Sequence, residues 1–207
     1  MSSDRQHWES TYLAKPTDRV SWYEARPEHS LELIRSTGVR NDAAILDVGG
    51  GASSLAGQLL AIGYTDLAVA DISPTALAHA KAALGGDAAR IAWIEADIRR
   101  HDFGRVYDLW HDRAVFHFMV STDDREGYLE VLRRTLRHGG HLVIATFGPQ
   151  GPTHCSGLPV QRYGAQELQR SLGEEFELIS SSLTAHSTPS GASQQFLYAH
   201  LRRASGS

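Results

Sequence analysis

One stretch constrains the fold of this chain more than any other: residues 43–55, Ala-Ala-Ile-Leu-Asp-Val-Gly-Gly-Gly-Ala-Ser-Ser-Leu. The apolar run that ends at Asp47-Val48 is typical of a buried strand. The three glycines that follow allow a sharp backbone turn, and Ser53 or Ser54 can cap a helix after it. Doubly wound α/β sheets place nucleotide sites at such a turn, beyond the carboxyl ends of the strands. The stretch therefore predicts the core of a cofactor site.

The remaining sequence continues the alternation of strand and helix. The other predicted strands cover residues 67–71, 91–95, 107–110, 141–147, 176–181 and 195–201. The predicted helices cover residues 4–13, 27–38, 55–62, 74–84 and 122–137, with a further helix opening at residue 164. The last two strands have a short connection, which favours an antiparallel pair. We expect one α/β domain over residues 1–207, with a doubly wound, seven-stranded, mostly parallel sheet, an antiparallel final strand and helices on both faces.

Two segments are not expected to form regular elements. Residues 148–163 are rich in glycine and proline, so we predict a long loop of the kind that often carries function. Residues 202–207 are predicted to be a disordered tail.

Charge and composition argue against several classes of partner. The 20 basic and 24 acidic residues give a net charge of −4, and the pairs Arg99-Arg100 and Arg133-Arg134 are too short for a nucleic-acid footprint. We assign those pairs to solvated surface. The single cysteine, Cys155, excludes an internal disulfide. No apolar run reaches the ~18 residues of a membrane span, and the first residues do not resemble a signal peptide. We expect a cytoplasmic monomer or homodimer that binds neither nucleic acid nor membrane.

The first forty residues are rich in aromatic side chains. Trp8 and Tyr12 stand four apart, on one face of the predicted first helix, and Trp22 follows. Two interpretations stay open: this segment packs against the sheet edge, or it forms a helical lid over the cofactor pocket.

The glycine turn is not that of a dinucleotide site, because Ser54 stands where that fingerprint needs its third glycine. Residues 46–51, Leu-Asp-Val-Gly-Gly-Gly, instead resemble the first motif of class I S-adenosylmethionine-dependent methyltransferases. In that family, the position of Asp71 binds the ribose hydroxyls, and that of Asp97 with Ile98 binds adenine. Residues 111–113 match the segment that faces the methionine moiety and the acceptor.

The resemblance implies S-adenosylmethionine as cofactor and S-adenosylhomocysteine as product. Together with the aromatic segment, it assigns twelve residues to the cofactor: Trp8, Tyr12, Trp22, Asp47, Gly49, Gly50, Gly51, Asp71, Ile72, Asp97, Ile98 and His111. Purely structural roles stay open for three of them, since Asp47 can orient the turn, Asp71 can cap the next helix and Asp97 can form a turn.

Methyl transfer is an in-line displacement, so positioning of the acceptor is the main task of the protein. We assign that role to Asp112, Arg113 and His117, and acceptor contacts to Phe147, His154 and Cys155. Asp112 with Arg113 can instead form a buried ion pair, and His117 can be a packed core histidine. His154 and Cys155 are adjacent and no second cysteine exists, so no metal site is expected.

The nature of the acceptor is the least constrained feature. The pattern His7-Trp8-Glu9, Tyr12 and then Trp22-Tyr23 resembles the entry segment of small-molecule methyltransferases related to the thiopurine and tellurite-resistance enzymes. Residues 111–114 lack the Asn/Asp-Pro-Pro-Tyr signature of amino-group transfer to nucleic acids and glutamine. We therefore expect a small heteroatom acceptor, such as a thiol or a metalloid. Alternatives are a protein lysine methyltransferase, a non-catalytic cofactor-binding domain and a nicotinamide-dependent oxidoreductase.

Overall fold

The computed structural model describes residues 3–206 as alternating strands and helices around one main sheet. The helices are α1 (Ser3–Ala14), α2 (Glu28–Ser36), α3 (Leu55–Ala61), α4 (Pro74–Leu84), α5 (Thr122–Thr135) and α6 (Ala165–Leu172). The strands are β1 (Ala44–Val48), β2 (Asp66–Asp71), β3 (Ile91–Glu95), β4 (Tyr107–Arg113), β5 (Leu136–Phe147), β6 (His154–Cys155), β7 (Leu158–Pro159), β8 (Phe176–Ser187) and β9 (Ser193–Arg203). Short 3-10 turns cover Thr17–Arg19, Gly85–Arg90 and Phe116–Phe118.

The main sheet has the strand order β3-β2-β1-β4-β5-β9-β8. The strands β1 to β5 run parallel, whereas β9 is antiparallel to both of its neighbours, β5 and β8. The chain moves outward from β1 to β3 and then returns to the other side of β1 with β4. That reversal opens a crevice at the carboxyl ends of β1 and β4. The predicted doubly wound sheet with its antiparallel closing strand is confirmed.

The two faces of the sheet are covered by different helices. Along β1, Ile45 packs with Leu31 of α2 and Leu59 of α3, whereas Leu46 packs in the cluster that contains Leu132 of α5. Successive side chains of a strand point to opposite faces, so each strand serves two hydrophobic cores. Helices α2, α3 and α4 cover one face, and α5 and α6 cover the other.

The amino-terminal forty residues divide into two parts with different surroundings. Helix α1 packs against α4. Helix α2 lies in the core, where Leu31 and Ile34 are fully buried. The segment predicted as a lid over residues 1–40, of which residues 1 and 2 lie outside the described range, therefore comprises two structures. Helix α1 and the chain around Trp22 border the crevice, whereas α2 belongs to the core.

Several predicted boundaries were wrong. Strand β4 continues through Arg113, three residues further than expected. Residues 202 and 203, predicted as the start of a disordered tail, belong to β9 and pair with β8. The predicted loop 148–163 contains the small hairpin β6-β7. In each case a partner strand supplies backbone hydrogen bonds that the local sequence does not show. Residue 207 of the predicted tail lies outside the described range.

Within residues 3–206, no helix is long and apolar enough to cross a bilayer.

Candidate active site

A cavity lies at the carboxyl ends of the parallel strands, beneath α1. It has a volume of about 290 Å³ and is bordered by the segments that follow β1, β2, β3 and β4. Ten of the predicted site residues line it: Trp8, Tyr12, Trp22, Gly49, Asp71, Ile72, Asp97, Ile98, Arg113 and Cys155. Residues between positions 4 and 159 thus meet at the crevice that the strand order creates.

The glycine turn after β1 is shaped by contacts within the protein. Gly49 has a φ of +64°, and a Cβ there would lie 2.1 Å from Cγ2 of Val115. A Cβ on Gly50 would lie 2.2 Å from Oδ2 of Asp47, and one on Gly51 would lie 2.6 Å from Oδ2 of Asp71. The sequence interpretation assigned these glycines to the cofactor. The structure shows that the two carboxylates and Val115 already exclude a side chain.

Asp71 is the acid that enters the cavity from the end of β2. Its Oδ2 accepts a hydrogen bond from N of Gly51 at 3.0 Å, and its Oδ1 accepts one from N of Ser73 at 2.8 Å. The carboxylate therefore fixes both the glycine turn and the start of α4, where Ser73 is the N-cap. Burial raises the pKa of Asp71 to about 6. Each oxygen retains a further lone pair for a donor in the cavity.

Asp97 lines the cavity, but both of its oxygens are bound by Arg99. The guanidinium donates from Nε to Oδ1 and from Nη2 to Oδ2, both at 2.8 Å. Burial would raise the pKa of Asp97, but the hydrogen bonds from Arg99 hold it below its usual value. Arg99 also contacts Asp4 of α1 at 2.8 Å and Asp124 of α5 at 2.7 Å.

Arg99 is a site residue that the sequence interpretation missed. We had assigned the pair 99–100 to solvated surface, which is correct for Arg100, whose side chain is 71% exposed. The side chain of Arg99 is only 15% exposed and borders the cavity with its acidic partners Asp4 and Asp124. The sequence did contain a signal for this role, because Arg99 lies two residues after the predicted site residue Asp97.

Aromatic rings form the wall opposite the strand ends. Trp8 makes edge-to-face contacts with Trp22 and Phe118, at centroid distances of 5.7 and 5.1 Å, and Tyr12 contacts Trp22 at 6.1 Å. Phe118 enters this wall because the backbone turns at Ala114, which has a φ of 68°. An L-residue in the left-handed region costs roughly 1–2 kcal/mol. That turn also carries Val115 onto Gly49.

Arg113 anchors the aromatic wall to the sheet. Its Nη1 donates to the carbonyl of Trp22 at 2.8 Å, its Nε donates to the hydroxyl of Tyr198 at 3.0 Å, and its Nη2 lies 2.9 Å from Oε1 of Glu24. Cys155 of the β6-β7 hairpin lines the same end of the cavity, and burial raises the pKa of its thiol to about 11.

Four residues predicted to face the acceptor do not line the cavity. Asp112 is fully buried on the other face of β4, where it accepts hydrogen bonds from the backbone N of Val115 and Phe116 and from the hydroxyl of Tyr128. His117 is fully buried, accepts a hydrogen bond from N of Phe147, and has a pKa lowered to about 3 by burial.

Phe147 is itself fully buried, and His154 is exposed on the outer side of the hairpin. Asp112 does not reach the cavity because residues 111–113 lie inside a strand, so their side chains alternate between its two faces. His117 and Phe147 are enclosed in the core, and His154 is exposed.

The other predicted cofactor residues lie behind the turn. Asp47, Gly50 and His111 border a smaller cavity of about 50 Å³, which shares Gly49, Tyr12, Trp22 and Arg113 with the large one. Gly51 is enclosed by Asp71 and Ala76. Cavity-lining residues that the sequence interpretation did not assign are Asp4, Ala70, Ala96, Arg99, Ala114, Val115, Phe118, Met119, Val120, Asp124, Leu158 and Pro159.

Comparison with known families agrees with this geometry. Residues 45–140 match the family model described as a methyltransferase domain. These 96 of the 207 residues are similar to that family. The matched range begins in β1 and ends in β5, so it includes the glycine turn, Asp71 and Asp97. A comparison with curated proteins gave no match.

Solved methyltransferases share the fold of this domain. N-methyltransferase NodS from Bradyrhizobium japonicum, in complex with S-adenosylhomocysteine, is 20% identical over 94% of this chain and 97% of that chain, with a TM-score of 0.70. The 1,6-didemethyltoxoflavin-N1-methyltransferase of Burkholderia thailandensis, with 1,6-didemethyltoxoflavin and S-adenosylhomocysteine bound, is 20% identical over 97% and 87%, with a TM-score of 0.74.

A third structure comes from work on the conversion of a disulfide bond into a thioacetal group during echinomycin biosynthesis. It is 18% identical over 98% of this chain and 93% of that chain, with a TM-score of 0.77. At these identities the likeness shows the fold. The assignment of an acceptor has to come from the cavity itself.

Proposed function

We propose that this domain transfers a methyl group from S-adenosylmethionine to a heteroatom of a small molecule. The observation that carries the proposal is Asp71, a buried carboxylate that enters the cavity from the end of β2 with lone pairs free for donors. Its position next to the glycine turn fits a ribose, whose hydroxyl groups both donate. The volume of about 290 Å³ is near the lower end of pockets that enclose compounds of this size, roughly 300–1,000 Å³.

The residues around the cavity fit a cationic donor. S-adenosylmethionine supplies, when bound, a methyl group activated by a positively charged sulfur. Trp8, Tyr12, Trp22 and Phe118 present aromatic rings to the cavity, and ring faces attract cations by about 0.5–2 kcal/mol. The same rings exclude water from the reacting atoms. We propose that α1, which carries Trp8 and Tyr12, is the lid over this site.

We place the acceptor at the part of the cavity that Tyr12, Arg113 and Cys155 border, and none of these three titratable groups is suited to act as a general base near neutral pH. Burial raises the pKa of Tyr12 far above its usual value and that of Cys155 to about 11. The guanidinium of Arg113 is held by Glu24 and has no acceptor atom for a proton. The acceptor therefore arrives with a free lone pair, as a thiolate or selenolate does, and the protein contributes positioning.

The enclosure of the cavity supports a small acceptor. The hairpin β6-β7 contributes Cys155, Leu158 and Pro159 to one side, and α1 closes another. These surroundings are mostly apolar. A protein lysine, by contrast, would need an open groove for its backbone and a group to remove its proton.

Two measurements test the proposal. Calorimetry with S-adenosylmethionine and S-adenosylhomocysteine should give binding to the wild-type chain, and Asp71→Ala should weaken it at least about tenfold, as expected for hydrogen bonds to a buried carboxylate. Asp102→Ala, an exposed acid remote from the cavity lining, is the matched control. Absence of binding to the wild type would refute the proposal.

A radiolabelled methyl donor then distinguishes the acceptor class. Small thiols, selenols, heteroaromatic amines and a cell lysate serve as acceptor sources. Label in small extractable products supports the proposal, and label in protein bands supports a protein methyltransferase. Binding without formation of S-adenosylhomocysteine across the whole panel would favour a non-catalytic cofactor-binding domain.

A further inference from the structure

Behind the glycine turn, three buried polar side chains from three elements form a continuous hydrogen-bonded chain. Nδ1 of His111 lies 2.6 Å from Oδ1 of Asp47, and Nε2 of His111 lies 2.9 Å from Oγ of Ser30. Asp47 and His111 are register partners in β1 and β4, and Ser30 lies in the first turn of α2. Ser30 is 0% exposed, and Asp47 and His111 are each 3% exposed.

The direction of these hydrogen bonds follows from their chemistry. A carboxylate only accepts, so Nδ1 of His111 carries the hydrogen and donates to Asp47. In the neutral ring Nε2 is then the acceptor, and the hydroxyl of Ser30 donates to it. The imidazole is thus held at both ring nitrogens, and it fixes the orientation of the Asp47 carboxylate.

The second oxygen of Asp47 has no such partner. Oδ2 is buried and accepts no hydrogen bond from any group in residues 3–206. It faces the glycine turn, since a Cβ on Gly50 would lie 2.2 Å from it. A buried, charged acceptor without a donor is costly, so an external donor is expected at this atom. Asp47 borders the smaller cavity, which shares Gly49 with the proposed methyl-donor cavity.

We propose that His111 and Ser30 are positioning residues that aim Oδ2 of Asp47 at the cationic amino group of the methyl donor's amino-acid portion. The inference rests on the proposed function, which supplies that group. It also changes the role of His111: the ring acts through Asp47, whereas the sequence interpretation had it touch the cofactor directly.

The order Ser30–His111–Asp47 is also that of a hydrolytic triad, but its surroundings exclude that use. A nucleophilic serine must be reached by its substrate. Ser30 is fully buried in α2, next to the core residue Leu31. The atom of this hydrogen-bonded chain that lacks a partner within residues 3–206 is instead Oδ2 of Asp47.

The test compares two ligands that differ in the amino-acid portion. S-adenosylhomocysteine carries the amino group, and 5′-methylthioadenosine lacks the whole amino-acid chain. Calorimetry on Asp47→Asn and His111→Leu should show affinity for S-adenosylhomocysteine lowered about tenfold or more, because a hydrogen bond to a charged group is lost or misaligned. Affinity for 5′-methylthioadenosine should change less than about threefold. Ser30→Ala should give the same pattern at about threefold.

A double variant and two controls complete the experiment. Because His111 acts through Asp47, the double variant Asp47→Asn/His111→Leu should bind S-adenosylhomocysteine no more weakly than Asp47→Asn alone. Ser36→Ala, which removes an exposed hydroxyl from the same helix, should leave both affinities unchanged. His111→Gln keeps a side-chain N–H donor and serves if circular dichroism shows that His111→Leu does not fold.

The outcomes separate this inference from the proposed function. Equal loss of affinity for both ligands in the His111 and Ser30 variants would mean a general structural role and would overturn the inference alone. Failure of the wild type to bind either ligand would overturn the proposed function and the inference with it.

Discussion

Among single residues, Asp71 combines burial with an acceptor role, and these two conditions oppose each other. Burial favours the protonated carboxyl, whereas the hydrogen bonds from Gly51 and Ser73 favour the carboxylate. The pKa of about 6 is the balance in the free protein. Ribose hydroxyl donors would shift that balance toward the carboxylate, so ligand binding should release a proton.

This balance predicts a pH-dependent affinity. S-adenosylhomocysteine should bind about tenfold more weakly at about pH 5 than at about pH 8, because below the pKa of the free carboxyl, binding must first remove its proton. Asp71→Asn should bind more weakly at the higher pH and should lose most of this dependence. The measurement is calorimetry at several pH values. An Asp71→Asn variant that keeps the full pH dependence would contradict the prediction and would point to Asp112, whose pKa burial also raises to about 6.

Polar contacts join the elements of the site, and several of them hold α1 in place. Its amino-terminal end is held by Asp4 on Arg99 and by Arg5 on Glu95, at 2.8 and 2.5 Å. Its middle is held by Glu9, whose carboxylate accepts from the hydroxyls of Ser73 and Thr75 at the start of α4. A carboxylate at a helix amino terminus is also favoured by the helix dipole.

Loosening this contact should open the proposed lid. Glu9→Gln should accelerate dissociation of S-adenosylhomocysteine about three- to tenfold, since one charge-assisted contact of roughly 1 kcal/mol is weakened. Stopped-flow fluorescence of Trp8 and Trp22, which line the cavity, follows the release. Glu32→Gln is the matched control, because Glu32 is exposed on α2. An unchanged release rate in Glu9→Gln would show that α1 does not gate the site.

Across the whole molecule, the two faces of β4 have different surroundings. Arg113 and His111 border the two cavities on one face, whereas Asp112 on the other face connects β4 to the turn after it and to α5. Its carboxylate accepts from N of Val115 at 2.9 Å, from N of Phe116 at 3.0 Å and from the hydroxyl of Tyr128 at 2.7 Å.

We therefore expect Asp112 to be a determinant of stability. Asp112→Asn places an amide NH2 against groups that donate, so it should lower the free energy of unfolding by about 3 kcal/mol. Asp123→Asn, an exposed acid in the first turn of α5, should change it by less than about 0.5 kcal/mol. Urea denaturation at neutral pH gives both values. A near-zero effect of Asp112→Asn would contradict the assigned role.

The order of elements followed from the sequence because its signals are local. The strand at Ile45, the N-cap at Ser73 and the apolar face of α5 each need only neighbouring residues to be recognised. The resemblance around the glycine turn then identified Asp71 and Asp97 as cavity residues. The thiopurine-like character of the amino-terminal segment stays a prediction.

The side-chain environment depended on contacts between distant parts of the chain. Arg99 is held at the cavity by ion pairs with Asp4 and Asp124, which lie far from it in the sequence. His111 does not line the main cavity, because its ring nitrogens are bound by Asp47 of β1 and Ser30 of α2. The faces of residues 111–113 were undetermined until the length of β4 was known.

The sequence by itself determined the doubly wound sheet and the glycine turn, since hydrophobic periodicity and a short motif encode both. The methyl donor followed from the resemblance around that turn. Only the tertiary structure decided what the turn is built around. Two buried carboxylates and Val115 leave no room for a side chain there, and Asp47 keeps an oxygen that no group in residues 3–206 satisfies. The physical reason is that hydrogen-bond satisfaction is a property of the packed interior, where partners come from elements far apart in the chain.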